Sequence, residues 1–120
     1  MAMTLQEAFN ASYIGVIKQG RRSIDANGNC VYNDGNGCKC GIGHTMPDGT
    51  DVSGCNLSGV RKLLEVRYPA VAHLSDIDVD ALMELQGCHD LAEFNGAFIS
   101  NFTQNMKFFA QAHHLTIPTI

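Results

Sequence analysis

Apolar residues follow two different patterns along this chain. In "TLQEAFNASYIGVIKQG", Leu5, Phe9, Tyr13, Val16 and Ile17 recur at steps of four and three and share one helical face. Thr4 and Glu7 form the Thr-x-x-Glu capping box that satisfies free backbone donors at a helix start, and Gly20 can take the left-handed conformation that stops a helix. A second helix is expected in "NLSGVRKLLEVRYP", with Ser58 as cap, Val60, Leu63 and Leu64 facing inward, and Pro69 closing it. A third, capped by Ser75 and Asp76, carries Ile77, Val79, Leu82, Met83 and Leu85. The last has the strongest stripe: Phe94, Phe98, Phe102, Met106 and Phe109, with Leu91 a step before. Beyond it the apolar tail "LTIPTI" is expected to pack back on the domain or on a neighbouring subunit.

Residues 24 to 56 break this rhythm. They are rich in Gly, Asn and Asp, with short apolar runs only. "NCVY" and "CKCGI" read as two short strands joined by "NDGNG", whose residues supply the positive φ angles of a hairpin turn. Met46-Pro47-Asp48-Gly49 reads as a further turn. The expected fold class is α+β: one mainly helical domain over residues 1–120, of about four helices with one short β-hairpin.

Length and composition agree with one soluble domain. The chain has 120 residues, of which 45% are apolar. Eight Lys and Arg against twelve Asp and Glu give a net charge of −4, so general binding to nucleic acid or to an anionic membrane is not expected. No run approaches the ~20 apolar residues of a membrane span, and the first ten residues lack the basic and apolar regions of a signal peptide. Five cysteines, an odd number, suit a reducing cytoplasm better than a disulfide framework.

The chemistry-bearing residues concentrate in "CVYNDGNGCKCGIGHTMPDG", residues 30–49. Cys30, Cys38, Cys40 and His44 are zinc-type ligands. Alternation along a strand would send Cys38 and Cys40 to opposite faces, so no resident metal or other cofactor is expected, and small buried residues are the simpler reading. A cysteine nucleophile needs a base within reach. Cys40 near His44 and Cys88 beside His89 are the candidates, yet sequence neighbours on a helix do not face one another. His89-Asp90 is similar to the two-residue signature of helical metal-dependent phosphohydrolases, which need more histidines and helices than this chain offers. The plain alternative is Asp90 capping the last helix. Gly35, Gly37, Gly41 and Gly43 could expose backbone N–H groups to a small anion, or serve only as turn residues. Lys18, Arg21 and Arg22 compensate the end of the first helix or contact a phosphate.

Three segments occur in a particular order: Cys30-Val31-Tyr32; Gly37-Cys38-Lys39-Cys40-Gly41-Ile42-Gly43 followed by Pro47-Asp48; and Leu85-Gln86-Gly87-Cys88-His89-Asp90 ahead of a final helix. In this the chain resembles a group of small uncharacterised bacteriophage and prophage proteins. In their pattern Cys30 and Cys40 are the family-like cysteines, whereas Cys38 and His44 stand outside it. The resemblance implies a phage accessory protein in the host cytoplasm. Such proteins often act by binding, either blocking a host or defence protein or sequestering a small anionic, nucleotide-like ligand. The expectation is a non-enzymatic homo-oligomer with no catalytic residues. Its ligand-binding residues are expected to be Tyr32, Gly41, Gly43, His44, His89, Asp90, Arg21 and Arg22. Tyr32, His89 and Asp90, with Cys30 and Cys40 behind them, are expected to cluster where the hairpin meets the helix junction. The competing expectations are a metal-dependent hydrolase of a phosphorylated ligand using His89 and Asp90, and a zinc-stabilised interaction module.

Overall fold

The computed structural model describes residues 2–92 and 97–120. Among the described residues there are four α-helices: α1 (Leu5–Gln19), α2 (Val60–Glu65), α3 (Val79–Asp90) and α4 (Phe98–His113). Short 3-10 helices occupy Gly43–Thr45 and Pro69–Leu74. The Thr4–Glu7 capping box forms in full, and Gly20 ends α1 at a φ of 81°. Phe9 and Val16 of α1 and Phe102 and Met106 of α4 have no solvent exposure, and Leu82 and Leu85 of α3 meet them. The Phe9 and Phe109 rings stack at 6.0 Å, tying α1 to α4. This is the expected apolar stripe apart from Phe94, which lies outside the described residues.

Other helix boundaries differ from the pattern reading. Gly59, not Ser58, is the N-cap of α2, and Asp78, not Ser75 or Asp76, caps α3 by accepting from Ala81 N–H at 3.1 Å. Pro69 opens a 3-10 helix at a first-turn position where its missing N–H leaves no bond unmade. Asp90 is the last residue of α3 and does not cap α4. Met83 and Leu91 point outward, 45% and 72% exposed.

The expected β-hairpin is not there, and the class is helical. Among the described residues pairing is limited to two isolated antiparallel bridges, Ile24 with Cys30 and Asn33 with Lys39. The chain does reverse at 34–38, with Asp34 N–H bonded to Cys38 O at 3.0 Å and Cys40 N–H to Tyr32 O at 3.3 Å. Among the described residues, however, the pairing does not extend into a ladder, and side chains take the outward-facing groups of Asn33 and Lys39. Gln19 accepts from Lys39 N–H at 2.7 Å and donates to Lys39 O at 3.0 Å. Asn56 does the same for Asn33, accepting from its N–H at 3.2 Å and donating to its carbonyl at 2.8 Å. Each amide stands where a further strand would pair, and each closes an edge of the bridge.

Candidate functional site

Residues 21–44 are fastened to α3 by a buried polar cluster. His89, fully buried, accepts from Ser23 N–H through Nε2 at 3.2 Å. A backbone N–H can only donate, so Nε2 carries no proton and Nδ1–H donates to Asp90 Oδ1 at 2.9 Å. Gln86, one turn earlier, donates to the same oxygen at 2.9 Å and accepts from Ile42 N–H at 3.0 Å. Phe98 of α4 meets the His89 ring edge-on at 5.3 Å. Cys30 completes the group: its sulfur, a His89 ring nitrogen and an Asp90 oxygen all lie within 4.8 Å of one another.

The electrostatics keep this thiol protonated. Burial, the Asp90 charge and the hydrogen bond to Asp90 push Cys30 up to about 11, with the Arg22 cation opposing them. Cys40 and Cys88 are driven up to about 12, chiefly by burial. Cys40 also accepts from Gly43 N–H at 3.3 Å. None of these thiols has the lowered pKa of a nucleophile.

Cys30, His89 and Asp90 are the only group of three or more metal-type ligands among the described residues. Their hydrogen bonding does not suit a metal. A ligating histidine normally donates through its other ring nitrogen. Metal at Nδ1 would move the proton to Nε2, opposite Ser23 N–H, and metal at Nε2 would displace Ser23 directly. Either route loses that buried bond. The set Cys30, Cys38, Cys40 and His44 is not brought together, although Cys38 and Cys40 are both buried.

Of the residues singled out in the sequence, Tyr32, His89 and Asp90 do meet Cys30. Tyr32, Asp90, Cys30, Gln86, Asn56 and Ser58 line a small cleft of about 140 Å³. The buried Tyr32 hydroxyl donates to Ser58 O at 2.6 Å, and burial raises its pKa. Gly41, Gly43 and His44 lie elsewhere, against α1. Ser12 donates to Gly41 O at 2.7 Å. Any side chain on Gly43 would collide with the Tyr32 carbonyl, so that glycine serves a close backbone approach. His44 Nε2 meets Gln19 Oε1 at 2.9 Å, its ring covers Gly15, and burial lowers its pKa to about 4. Arg21 reaches across the loop to Asn36 O at 3.4 Å, and Arg22 sits close enough to act on Cys30. The glycine turn offers few outward donors, because Asn33 and Asp34 side chains already accept from Gly35, Asn36 and Cys38 N–H groups.

The larger concave surface was not legible in the sequence. Two adjoining clefts share Tyr68, Ala72 and Ser75 along the 3-10 helix Pro69–Leu74. One, about 540 Å³, is lined by Leu64, Val71, Ile77 and Val79 with Arg67. The other, about 840 Å³, extends to Pro47, Asp51 and His73. Ordinary ligand pockets span about 300–1,000 Å³ and are mostly apolar with a few polar groups.

No family model, curated protein or solved structure matches this chain. No helix of the described residues is long and apolar enough to cross a membrane.

Proposed function

We propose that this is a phage accessory protein of the host cytoplasm that acts by binding a host protein, without turning over a substrate. The observation that carries the reading is the apolar groove along Pro69–Leu74, made by the two adjoining clefts. The polar cluster agrees with it: His89 has both ring nitrogens engaged, and Cys30 is held protonated. Sequestration of a nucleotide-like anion is less favoured, since the cleft beside the cluster is lined by the Asp90 carboxylate. A homo-oligomer is also proposed, and sedimentation of the purified protein checks it.

Display selection with host-derived peptides, followed by titration of isotope-labelled protein, tests the binding reading. Ala72 is exposed and lines both clefts, so Ala72→Arg fills the groove without touching the core. Amide shifts confined to residues 60–79, with binding at least tenfold weaker in Ala72→Arg, are expected. Shifts centred on Cys30 and Asp90 would move the site to the polar cluster.

A second reading, a metal-dependent hydrolase of a phosphorylated ligand or a zinc-stabilised module, starts from the proximity of the three clustered ligands and requires giving up the Ser23–His89 bond. Phosphate release from a simple phosphomonoester with manganese or zinc, lost on chelation and in His89→Ala, would select the hydrolase. Unfolding on chelation would select the module.

A further inference from the structure

We infer that Arg67 anchors the occupant of the groove, which is a short apolar peptide segment of the partner carrying one carboxylate. The inference rests on the groove reading and adds the chemistry of what fills it.

The argument begins with the backbone. Tyr68 N–H bonds to Leu63 O at 2.9 Å and Arg67 N–H to Leu64 O at 3.2 Å, the paired bonds of a Schellman motif at the end of α2. Its penultimate position takes the left-handed conformation, where glycine is usual because a Cβ is disfavoured there. This chain has Arg67 instead, at a φ of 54°. Among non-glycine residues that sign of φ is otherwise seen, within the described chain, only at His114. The motif needs no side chain at this position, and although a cation complements the C-terminal end of α2, the left-handed backbone is made at least cost by glycine.

The side chain lies where a ligand would use it. Arg67 lines the 540 Å³ cleft and is the only charged residue among its described lining, the rest being Leu64, Val71, Ala72, Ile77 and Val79 with the Tyr68 and Ser75 side chains. The guanidinium forms no ion pair or side-chain hydrogen bond with any described residue. A cation in the lining of the 540 Å³ cleft, with the only acid of the groove's described lining, Asp51, in the adjoining cleft, is complementary to an apolar segment bearing a carboxylate. Arg67 is exposed, and guanidinium pairs with carboxylate through two parallel hydrogen bonds, which an apolar segment seated over the cleft would shield from water. The chain's net charge of −4 gives no general attraction for acids, so selectivity has to come from this one contact.

The test is an immobilised library of random hexapeptides probed with the whole protein, followed by affinities of a recovered binder and of its twin with the acid changed to the amide. Binders should be enriched in Asp or Glu flanked by apolar residues, and the amide twin should bind at least tenfold more weakly. Arg67→Gly keeps the left-handed backbone and should remove that tenfold preference while melting no lower than the parent protein. Arg67→Lys should restore part of it. Binders without acids, or a twin of equal affinity, overturn the Arg67 inference; if Ala72→Arg still blocks them, the groove stands. Binding that ignores Ala72→Arg, or no binders at all, overturns both. Octanoate competing as well as the peptide would overturn the peptide as occupant.

Discussion

Helices α1, α3 and α4 and the irregular stretch from Gly20 to Gly59 bury side chains to the same depth by opposite means. Phe9, Leu85 and Phe102 are fully buried, and so are Cys40 and Ile42. The helices close their own backbone bonds, so what joins them is contact between apolar faces, which tolerates small shifts. The irregular stretch makes turn and bridge bonds of its own, such as Val31 N–H to Ser23 O and Cys40 N–H to Tyr32 O, and side-chain amides and an imidazole, most of them on the helices, satisfy the groups these leave over. Gln19 serves Lys39, Asn56 serves Asn33, Gln86 serves Ile42 and His89 serves Ser23. Hydrogen bonds are directional, and a buried group that loses its partner keeps its desolvation penalty. The second region is therefore the more specific of the two and the less forgiving of chemical change.

That contrast can be broken at several strengths. Phe102→Ala should cost about 3–5 kcal/mol of global stability, seen in urea unfolding, because the site is fully enclosed. His89→Ala should cost about 2–3 kcal/mol and act locally, leaving Ser23 N–H unpaired. Hydrogen exchange should speed up at residues 23–42 while α1 and α4 stay protected. Equal acceleration in α4 would mean that the two regions are one cooperative unit. Gln19→Glu keeps an acceptor for Lys39 N–H but turns carboxylate oxygens toward the Lys39 and Arg21 carbonyls, for about 1–2 kcal/mol. Alanine at the neighbouring Lys18 should change stability by less than about 0.5 kcal/mol.

The smaller effects are titrations. His44 has its pKa lowered from 6.5 to about 4 by burial, so the unfolded chain binds more protons between those values. Its contribution to stability is present above pH 6.5 and is lost as the pH falls toward 4. His73, also lowered by burial, adds in the same sense. Denaturation midpoints should thus fall over that window, and His44→Gln should flatten the slope without abolishing it. A slope unchanged in the variant would remove His44 from the packing argument. Finally, Cys30, raised to about 11, should alkylate at pH 8 on the order of a hundredfold more slowly than a free thiol. Asp90→Asn removes the charge that helps hold the proton and should speed the reaction.

Much of the first region was legible in advance. The Thr4–Glu7 box, the Gly20 stop and the stripe through Phe98, Phe102, Met106 and Phe109 follow from spacing alone, because a helix is a local structure with a fixed period. The hairpin misled because strands were inferred from turn residues, while a ladder needs pairing that continues past the single bridge of Asn33 with Lys39. Asn33-Asp34-Gly35 does turn, yet Gln19 and Asn56 lie 20 and 23 residues from the backbones they serve. The meeting of Tyr32, Cys30, His89 and Asp90 was anticipated; the inward direction of His89 Nε2 was not. Nothing in the pattern flagged Arg67, since neither its left-handed backbone nor the groove beside it has a signature in composition or period.

By itself, the sequence determined where α1 starts and stops and which faces of α1 and α4 are apolar, since caps and periodicity act over three or four residues. Only the tertiary structure decided that a glycine-rich segment would be held by side-chain amides in place of a sheet. It alone decided that His89 would be occupied by Ser23, and that Arg67 would line an otherwise apolar cleft. Each of those outcomes depends on groups far apart in the chain competing for the same partner, and the winner is set by geometry that exists only after the helices have packed.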